Sequence, residues 1–289
     1  MLPRRSPAWI IFRAIAILLI SGLAGATLIR LAPGFGIDEQ MLDPRLSVQS
    51  LEALRLRHAE ERNPVAFYAR FLGRMLHGDM GRSAVFGQPV AQLIADRAAT
   101  TARSVSAGLM LGWIVALGFA ITTVLSGRAA TVVTAMAFSG SLLSLPSAVL
   151  ATICLLLGLP PAAAIAAVVF PRVFPHAHEQ LRASLAKAHV VLARARGLSR
   201  TRVFLFYVAP AAMMPILALA GVSVTLALGA SIPVEALADS PGLGQLAWQA
   251  ALGRDLPVLV SITIMLTAVT VFANALADTV MARLGRQAT

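Results

Sequence analysis

Six long hydrophobic runs, separated by polar segments, dominate the pattern of this chain. They lie near residues 8–31, 101–126, 129–157, 159–177, 204–230 and 256–282. Runs of this kind approach or exceed the roughly 20 apolar residues that an α-helix needs to cross a bilayer. We therefore predict an all-α membrane protein with six transmembrane helices, in which Gly158, Pro160 and Pro161 form the tight turn between the third and fourth helices.

Composition agrees with a membrane protein and excludes several other classes. Hydrophobic residues make up 58% of the chain and charged residues 13%, whereas roughly a quarter of the residues in a soluble domain are charged. The net charge of +11 is spread over chain ends and loops, without a basic stripe or interleaved aromatic residues, so we predict no nucleic-acid partner. The single cysteine, Cys154, excludes an intrachain disulfide and a cysteine metal cluster, and we predict no metal site.

The distribution of arginine and lysine predicts how the helices are oriented. Basic residues cluster at both chain ends and between the fourth and fifth runs, whereas segments 32–100 and 231–255 hold at least as many acidic as basic residues. Because short cytoplasmic loops have the excess of positive charge, we predict that both termini face the cytoplasm. Ala24-Gly25-Ala26 resembles a signal-peptide cleavage site, but the apolar run continues to Leu31, beyond the ~7–15 residues of a signal sequence, which favours a retained membrane helix.

Three regions follow from this map: the N-terminus with the first transmembrane helix at 1–31, an extracytoplasmic cap segment at 32–100, and a five-helix core at 101–289. The cap is predicted to be helical. In Ser50–Arg62, charged residues alternate with leucines at helical spacing, and Asn63-Pro64 separates this stretch from a second amphipathic one, Val65–Leu76.

The cytoplasmic segment 178–203 has the features of a docking element. Its centre is a helix of small residues and arginines that we expect Gly197 to end, because glycine adopts the left-handed conformation without a Cβ penalty. Alanine allows another backbone to come close, and arginine makes planar, multidentate contacts with a partner surface. The alternative is a solvated, positively charged connector. The predicted docking residues are Ala193, Arg194, Ala195, Arg196, Gly197 and Leu198.

A second candidate site is the outer segment 231–255, which we predict to be re-entrant. Proline and glycine residues at 233, 241, 242 and 244 are expected to prevent a continuous helix there. The charged residues of the segment are expected to pair with one another at a partly dry outer mouth. An ordinary polar loop is the alternative. The residues concerned are Glu235, Pro241, Gly242, Gly244, Arg254 and Asp255.

Several of these stretches, in their order along the chain, resemble the peptide/nickel-type permeases of binding-protein-dependent ABC importers. The resemblance rests on Gly78-Asp79-Met80-Gly81-Arg82-Ser83, on the bend Ser144-Leu145-Pro146, on the 193–198 stretch and on Ser240-Pro241-Gly242-Leu243-Gly244. The chain departs from that pattern in the docking segment. Val191 stands where an acidic residue is usual, and His189 where an aromatic one is usual.

The resemblance implies the type I ABC importer permease fold and a multi-pass protein of the bacterial inner membrane. It implies half of a translocation pathway for dipeptides or oligopeptides, completed by a homologous second permease subunit. Two cytoplasmic ATPase subunits would bind ATP and Mg, and an extracytoplasmic binding protein would deliver the cargo. Nickel complexes or another small solute are alternative cargoes.

Two other classes fit the sequence less well. An ion-coupled carrier usually has ionisable residues at mid-membrane depth, and most of the predicted spans lack them. A membrane-embedded serine protease, suggested by Ser139-Gly140-Ser141, would need a base near its nucleophile, and no histidine lies in the fifth or sixth run. The chain also lacks a phosphate-binding loop, so we predict a transport subunit without a catalytic site or cofactor of its own.

Overall fold

The computed structural model describes residues 7–31 and 64–287, and this part of the chain is almost entirely helical. The predicted all-α class is confirmed, since the extended pairing found in the described residues is one isolated bridge between Arg82 and Pro89. The helices are α1 (Pro7–Leu31), α2 (Pro64–Leu76), α3 (Val90–Ser126), α4 (Ala129–Ser144), α5 (Ser147–Leu156), α6 (Pro161–Leu185), α7 (Ala188–Ala195), α8 (Arg200–Val203), α9 (Ala209–Leu217), α10 (Leu219–Leu237), α11 (Leu243–Leu252) and α12 (Leu256–Gln287).

Not all six hydrophobic runs correspond to one long helix. Among the described residues, three helices are long and apolar enough to cross a membrane, and the bent pair α4–α5 adds a fourth if it counts as one span. α1 confirms a helix over the first run, although its clearly apolar part is the shorter Phe12–Gly25. The six-span count stays a prediction. In the proposed cap, α2 confirms the second amphipathic stretch, and Ser50–Arg62 lies outside the described residues.

The predicted bend at Ser144-Leu145-Pro146 in the third run is confirmed, and it divides the run into two helices. α4 and α5 are bent by 106° at Leu145-Pro146. Leu145 is extended, with φ −87° and ψ 133°, because the ring of a following proline disfavours the helical conformation. The bend therefore lies at the serine-leucine-proline motif that the sequence pointed to, and the tight turn after α5 is formed by Gly158 with φ 67°.

Other boundaries also differ from the predicted runs. α3 begins at Val90, before the predicted start at 101, and α6 continues to Leu185, into the predicted docking segment. The fifth run is interrupted: a π-helical turn, Phe204–Val208, joins α8 to α9, and Ala218 separates α9 from α10. Pro210 and Pro215 lie in this stretch, where missing amide protons weaken the regular helical hydrogen bonding.

The described chain forms two compact units. The first comprises the residues up to Arg97 together with Leu246–Val269. Its apolar core is formed by α2 and the start of α12, and Tyr68 donates a hydrogen bond to the Leu18 carbonyl oxygen of α1 at 3.3 Å. The core residues are Tyr68, Phe71, Leu256, Val260 and Ile264.

The second unit, Ala98–Gln245 with the chain from Thr270, is organised around α6. α6 contacts α4, α5, α9 and α10 and buries much of its length. Two prolines interrupt its hydrogen bonds: Pro175 has no amide proton to donate to the Pro171 carbonyl, one helical turn earlier. The Ser139 hydroxyl of α4 donates to that carbonyl at 3.4 Å.

Close packing of α3 on α6 depends on glycine. A Cβ on Gly108 would lie 2.7 Å from the Ile165 Cβ and 2.9 Å from the Ala162 carbonyl oxygen. Gly112 faces Val169 in the same way one turn later. Small residues of this kind let membrane helices approach each other closely.

We predict that Gly108→Ala destabilises the protein and that Gly118→Ala does not. Gly118 lies on the same helix with open space around its Cβ position, so both variants share the helix-propensity gain of up to about 1 kcal/mol, and only Gly108→Ala meets a clash. The difference in free energy of unfolding should be about 1–3 kcal/mol, as for overpacked cores. Thermal unfolding of the purified protein in detergent measures it, and equal midpoints would contradict the glycine contact.

Candidate functional site

The predicted docking helix and its left-handed stop are both present. α7 begins after Lys187, and Gly197, with φ 79°, ends the helical segment by donating its amide proton to the Arg194 carbonyl oxygen at 2.9 Å. Nothing lies within 4 Å of the Cβ position of Gly197. Glycine is therefore required there by backbone conformation and not by lack of space.

The faces of α7 differ from the predicted arrangement. Ala193 and Val190 are buried against the rest of the chain, so Ala193 anchors the helix and does not offer a surface to a partner. Ala195 and the neighbouring arginines are exposed, and Leu198 is half-buried. Two apolar side chains that the sequence analysis did not select are also exposed, Val191 at 54% and Leu192 at 53%. The free surface of α7 thus combines apolar contact area with arginines 194 and 196.

The Glu235 carboxylate is the centre of a second, fully buried site. It accepts hydrogen bonds from the Thr101 hydroxyl at 2.9 Å, from the Ser104 hydroxyl at 2.9 Å and from the Gly244 amide at 2.8 Å. Thr101 in turn accepts a bond from the Leu243 amide at 2.7 Å. The carboxylate and the threonine together satisfy amides in the first turn of α11, where the helix dipole favours negative charge.

The chain between α10 and α11 is shaped around this carboxylate. α10 ends with Asp239 in the left-handed region, φ 47°, and the Ser240 amide donates to the Glu235 carbonyl oxygen at 3.0 Å. This is a Schellman-type helix end. At Gly242, a Cβ would collide with the Glu235 carboxylate and lie 2.6 Å from the Thr101 hydroxyl. Only glycine lets the backbone pass this close.

The Asp255 carboxylate performs the same role at the start of α12. It is fully buried and accepts bonds from the Ser83 hydroxyl, the Val85 amide at 3.1 Å and the Val258 amide at 3.4 Å. Arg254, with φ 55°, ends α11, and the Asp255 amide donates to the Ala250 carbonyl oxygen at 2.8 Å. Asp255 therefore caps the N-terminus of one helix and closes the C-terminus of the previous one.

The predicted outer segment is accordingly more helical than expected. α10 continues through Pro233 to Leu237, and Gly244 lies inside α11, so those two residues do not break the helices as predicted. The break is confined to 238–242, where Pro241 is exposed. Glu235, Gly242 and Gly244 are brought together, whereas Arg254 and Asp255 belong to the other unit.

Sequence reasoning missed the hydroxyl partners of the two carboxylates. Ser83 is the last residue of the glycine-aspartate motif, and Thr101 and Ser104 follow at the start of the second run. The sequence analysis noted the motif that ends in Ser83, but the acceptor of the Ser83 hydroxyl, Asp255, lies 172 residues further along the chain. No group of three or more potential metal ligands occurs within the described ranges 7–31 and 64–287.

Comparison with known proteins identifies the family. Residues 108–289 match the model of the binding-protein-dependent transport system inner membrane component. The chain is 26% identical to a Brucella ovis protein named as a peptide permease, over 87% of this chain and 88% of that one. It is 24% identical to the oligopeptide transport system permease protein AppB of Bacillus subtilis, over 92% and 93% of the two chains.

The fold is also that of a solved transporter chain. A crystal structure of an amino acid ABC transporter with histidines contains a chain with a TM-score of 0.53 and 16% identity, covering 67% of this chain and 94% of that one. The predicted importer-permease fold is therefore confirmed, and with the family match it supports the resemblance seen in the sequence motifs.

We predict that Glu235→Ala destabilises the protein strongly, because it leaves the Gly244 amide and the Thr101 hydroxyl without their acceptor. One unsatisfied buried group costs roughly 1–3 kcal/mol, so the free energy of unfolding should fall by at least that amount. Glu235→Gln, which keeps one acceptor oxygen for the Gly244 amide, should lose less.

Asp278→Ala is the control, since it removes one carboxylate from an exposed position of α12. Thermal unfolding of the four proteins in one detergent gives the order. A Glu235→Ala midpoint equal to that of Asp278→Ala would contradict a structural role for the buried carboxylate.

Proposed function

Because the chain belongs to the family of binding-protein-dependent transport system inner membrane components, we propose that it forms half of the translocation pathway of an ATP-driven peptide importer. The chain is a multi-pass membrane protein and a transport component. Two relatives are named as a peptide permease and an oligopeptide permease, and this chain matches 88% and 93% of their lengths. Their names support peptides as the cargo. Nickel complexes or another small solute remain the alternative cargo.

The observation that supports this proposal most directly is α7 with its left-handed stop at Gly197. We propose that its exposed face is where a cytoplasmic ATPase subunit docks. Val191 and Leu192 provide apolar area, and the arginines at 194 and 196 provide donors for carboxylates and carbonyls of the partner. The apolar pair lies near the position where related permeases have an acidic residue, so the contact relies on packing more than on a salt bridge to an acidic side chain of this helix.

The remaining parts of the complex follow from the same proposal. A homologous second permease completes the pathway, two ATPase subunits bind ATP and Mg, and an extracytoplasmic binding protein delivers the peptide. This chain has no catalytic site of its own. The arginine distribution supports cytoplasmic termini, and the amphipathic α2 supports a helical cap outside the membrane, with six spans in total.

We predict that transport needs the whole assembly. Vesicles that contain this chain alone should show neither ATP hydrolysis nor peptide uptake. Vesicles that also contain the second permease and the ATPases, with the binding protein outside, should take up radiolabelled di- or oligopeptides when ATP is enclosed. ATP supplied only on the binding-protein side should give no uptake, because α7 is proposed to face the interior.

Three results would contradict parts of this proposal. Gradient-driven uptake by the chain alone would indicate an ion-coupled carrier. Stimulation of ATP hydrolysis by a nickel complex and not by peptides would change the cargo. Uptake driven by external ATP alone would reverse the orientation.

We predict that Gly197→Val weakens ATPase docking while Gly197→Asn does not. A β-branched residue in the left-handed region costs about 1–2 kcal/mol, whereas asparagine tolerates that region. The valine can escape this backbone strain if the chain after α7 takes another direction, but the ATPase then binds a displaced segment. Its affinity should fall about tenfold for each 1.4 kcal/mol of strain that docking has to restore. Co-purification of the ATPases with each variant measures this, and equal recovery from both would show that the segment is only a connector.

A further inference from the structure

Lys187 joins three helices of the second unit. Its backbone amide donates to the Ser184 carbonyl oxygen at the end of α6, at 3.3 Å, and its carbonyl oxygen accepts from Val190 at 2.9 Å at the start of α7. Its side-chain ammonium donates to the Ala211 carbonyl oxygen of α9 at 3.2 Å. One residue therefore connects the predicted docking helix to two neighbouring helices.

The acceptor on α9 is available because of a proline. In a regular helix, the Ala211 carbonyl would accept the amide proton of the residue four positions later, and that residue is Pro215, which has none. The lysine ammonium bonds to this carbonyl, in an exposed contact, where a helical amide would otherwise donate. A compact ammonium group on a flexible stem suits a single carbonyl oxygen better than the planar guanidinium of arginine.

The position of this lysine is unusual for a helix start. Lys187 is the N-cap of α7, a position that normally holds serine, threonine, aspartate or asparagine, and its side chain makes no capping bond. A cation at a helix N-terminus is also disfavoured by the helix dipole. Lys187 is, moreover, the only lysine of the sequence, and every other residue of its Lys and Arg total is arginine. The bond to α9, and not a capping bond within α7, explains this residue.

We propose that Lys187 is a positioning residue that transmits displacement of α7 to α9. This inference rests on the proposed function, in which an ATPase subunit docks on α7, and it adds that closure of the ATPase pair displaces this helix. A bond from the N-cap of α7 to an opened turn of α9 connects the two helices directly, so that α9 follows when closure of the ATPase pair displaces α7. Loss of the bond lets α7 move without α9, and ATP is then hydrolysed with less transport.

The test compares Lys187→Met, which removes the donor and keeps the stem, with Lys187→Arg, which keeps a donor. In the reconstituted complex, the number of peptides transported per ATP hydrolysed should fall about two- to thirtyfold in Lys187→Met, the range of residues that couple distant sites. Lys187→Arg, whose guanidinium suits a single carbonyl oxygen less well, should restore part of it. A ratio in Lys187→Met equal to that of the wild type would overturn the proposal.

A second measurement does not depend on transport. Hydrogen exchange of the amides of α7 in the purified full-length chain should be faster in Lys187→Met than in the wild type or Lys187→Arg. Unchanged exchange would overturn the link itself. If exchange responds but the wild-type complex shows no ATP-driven transport, the proposed function fails and the contact stands.

Pro215→Ala provides the matched background. It supplies an amide proton to the Ala211 carbonyl within α9, which competes with the ammonium for this acceptor and weakens the bond before Lys187 is changed. Lys187→Met should then lower the transport ratio much less than it does in the presence of Pro215. Equal effects in both backgrounds would assign the loss to something other than this bond and overturn the proposal.

Discussion

The buried Glu235 carboxylate is the interaction on which the second unit depends most. It is fully removed from solvent, and an uncompensated buried charge would cost several kcal/mol, a large part of the stability of a typical protein. Two hydroxyls of α3 and one amide of α11 make it tolerable. The same bonds hold α3, the end of α10 and the start of α11 together. Gly242 belongs to this arrangement because any side chain there would occupy the space of the carboxylate. The two hydroxyls, the Glu235 carboxylate and Gly242 therefore form one arrangement, in which the hydroxyls satisfy the carboxylate and the glycine leaves room for it.

A second theme is how the chain satisfies carbonyl groups opened by proline. Where water is scarce, an unpaired backbone group is costly, and proline in a helix leaves one behind. The buried carbonyl of Pro171 receives the Ser139 hydroxyl, and the carbonyl of Ala211, in an exposed bond, receives the Lys187 ammonium. In both cases the new donor comes from another helix. Proline thus weakens a helix internally and creates a specific attachment point for a neighbour, which is why the helices around α6 can be bent or interrupted and still packed in one arrangement.

Local patterns in the sequence predicted local structure well. Hydrophobic runs located long helices, the serine-leucine-proline motif located the bend between α4 and α5, and the alanine-arginine pattern with Gly197 located α7 and its end. Pro233 was misjudged, because α10 continues through it; tertiary packing overrides a local helix breaker. The bonds of Glu235 and Asp255 could not be predicted, because they join residues 134 and 172 positions apart and a single serine or threonine has no periodic signal. The glycine-aspartate motif contains one hydrogen-bonding residue, Ser83, and only the folded structure shows that its partner is Asp255.

The proposed docking helix α7 has one buried face and one exposed face. Val190 and Ala193 are buried and fix one face of α7, while Val191 and Leu192 leave the opposite side apolar and exposed. In the proposed complex, that exposed side would be covered by the ATPase, and burial of two aliphatic side chains is non-directional. Orientation must then come from the arginines and from the direction in which Gly197 turns the chain. A contact of this kind tolerates changes in the partner's charges better than changes in its shape, because a misfit leaves apolar area exposed, whereas an altered charge at the rim is screened by solvent.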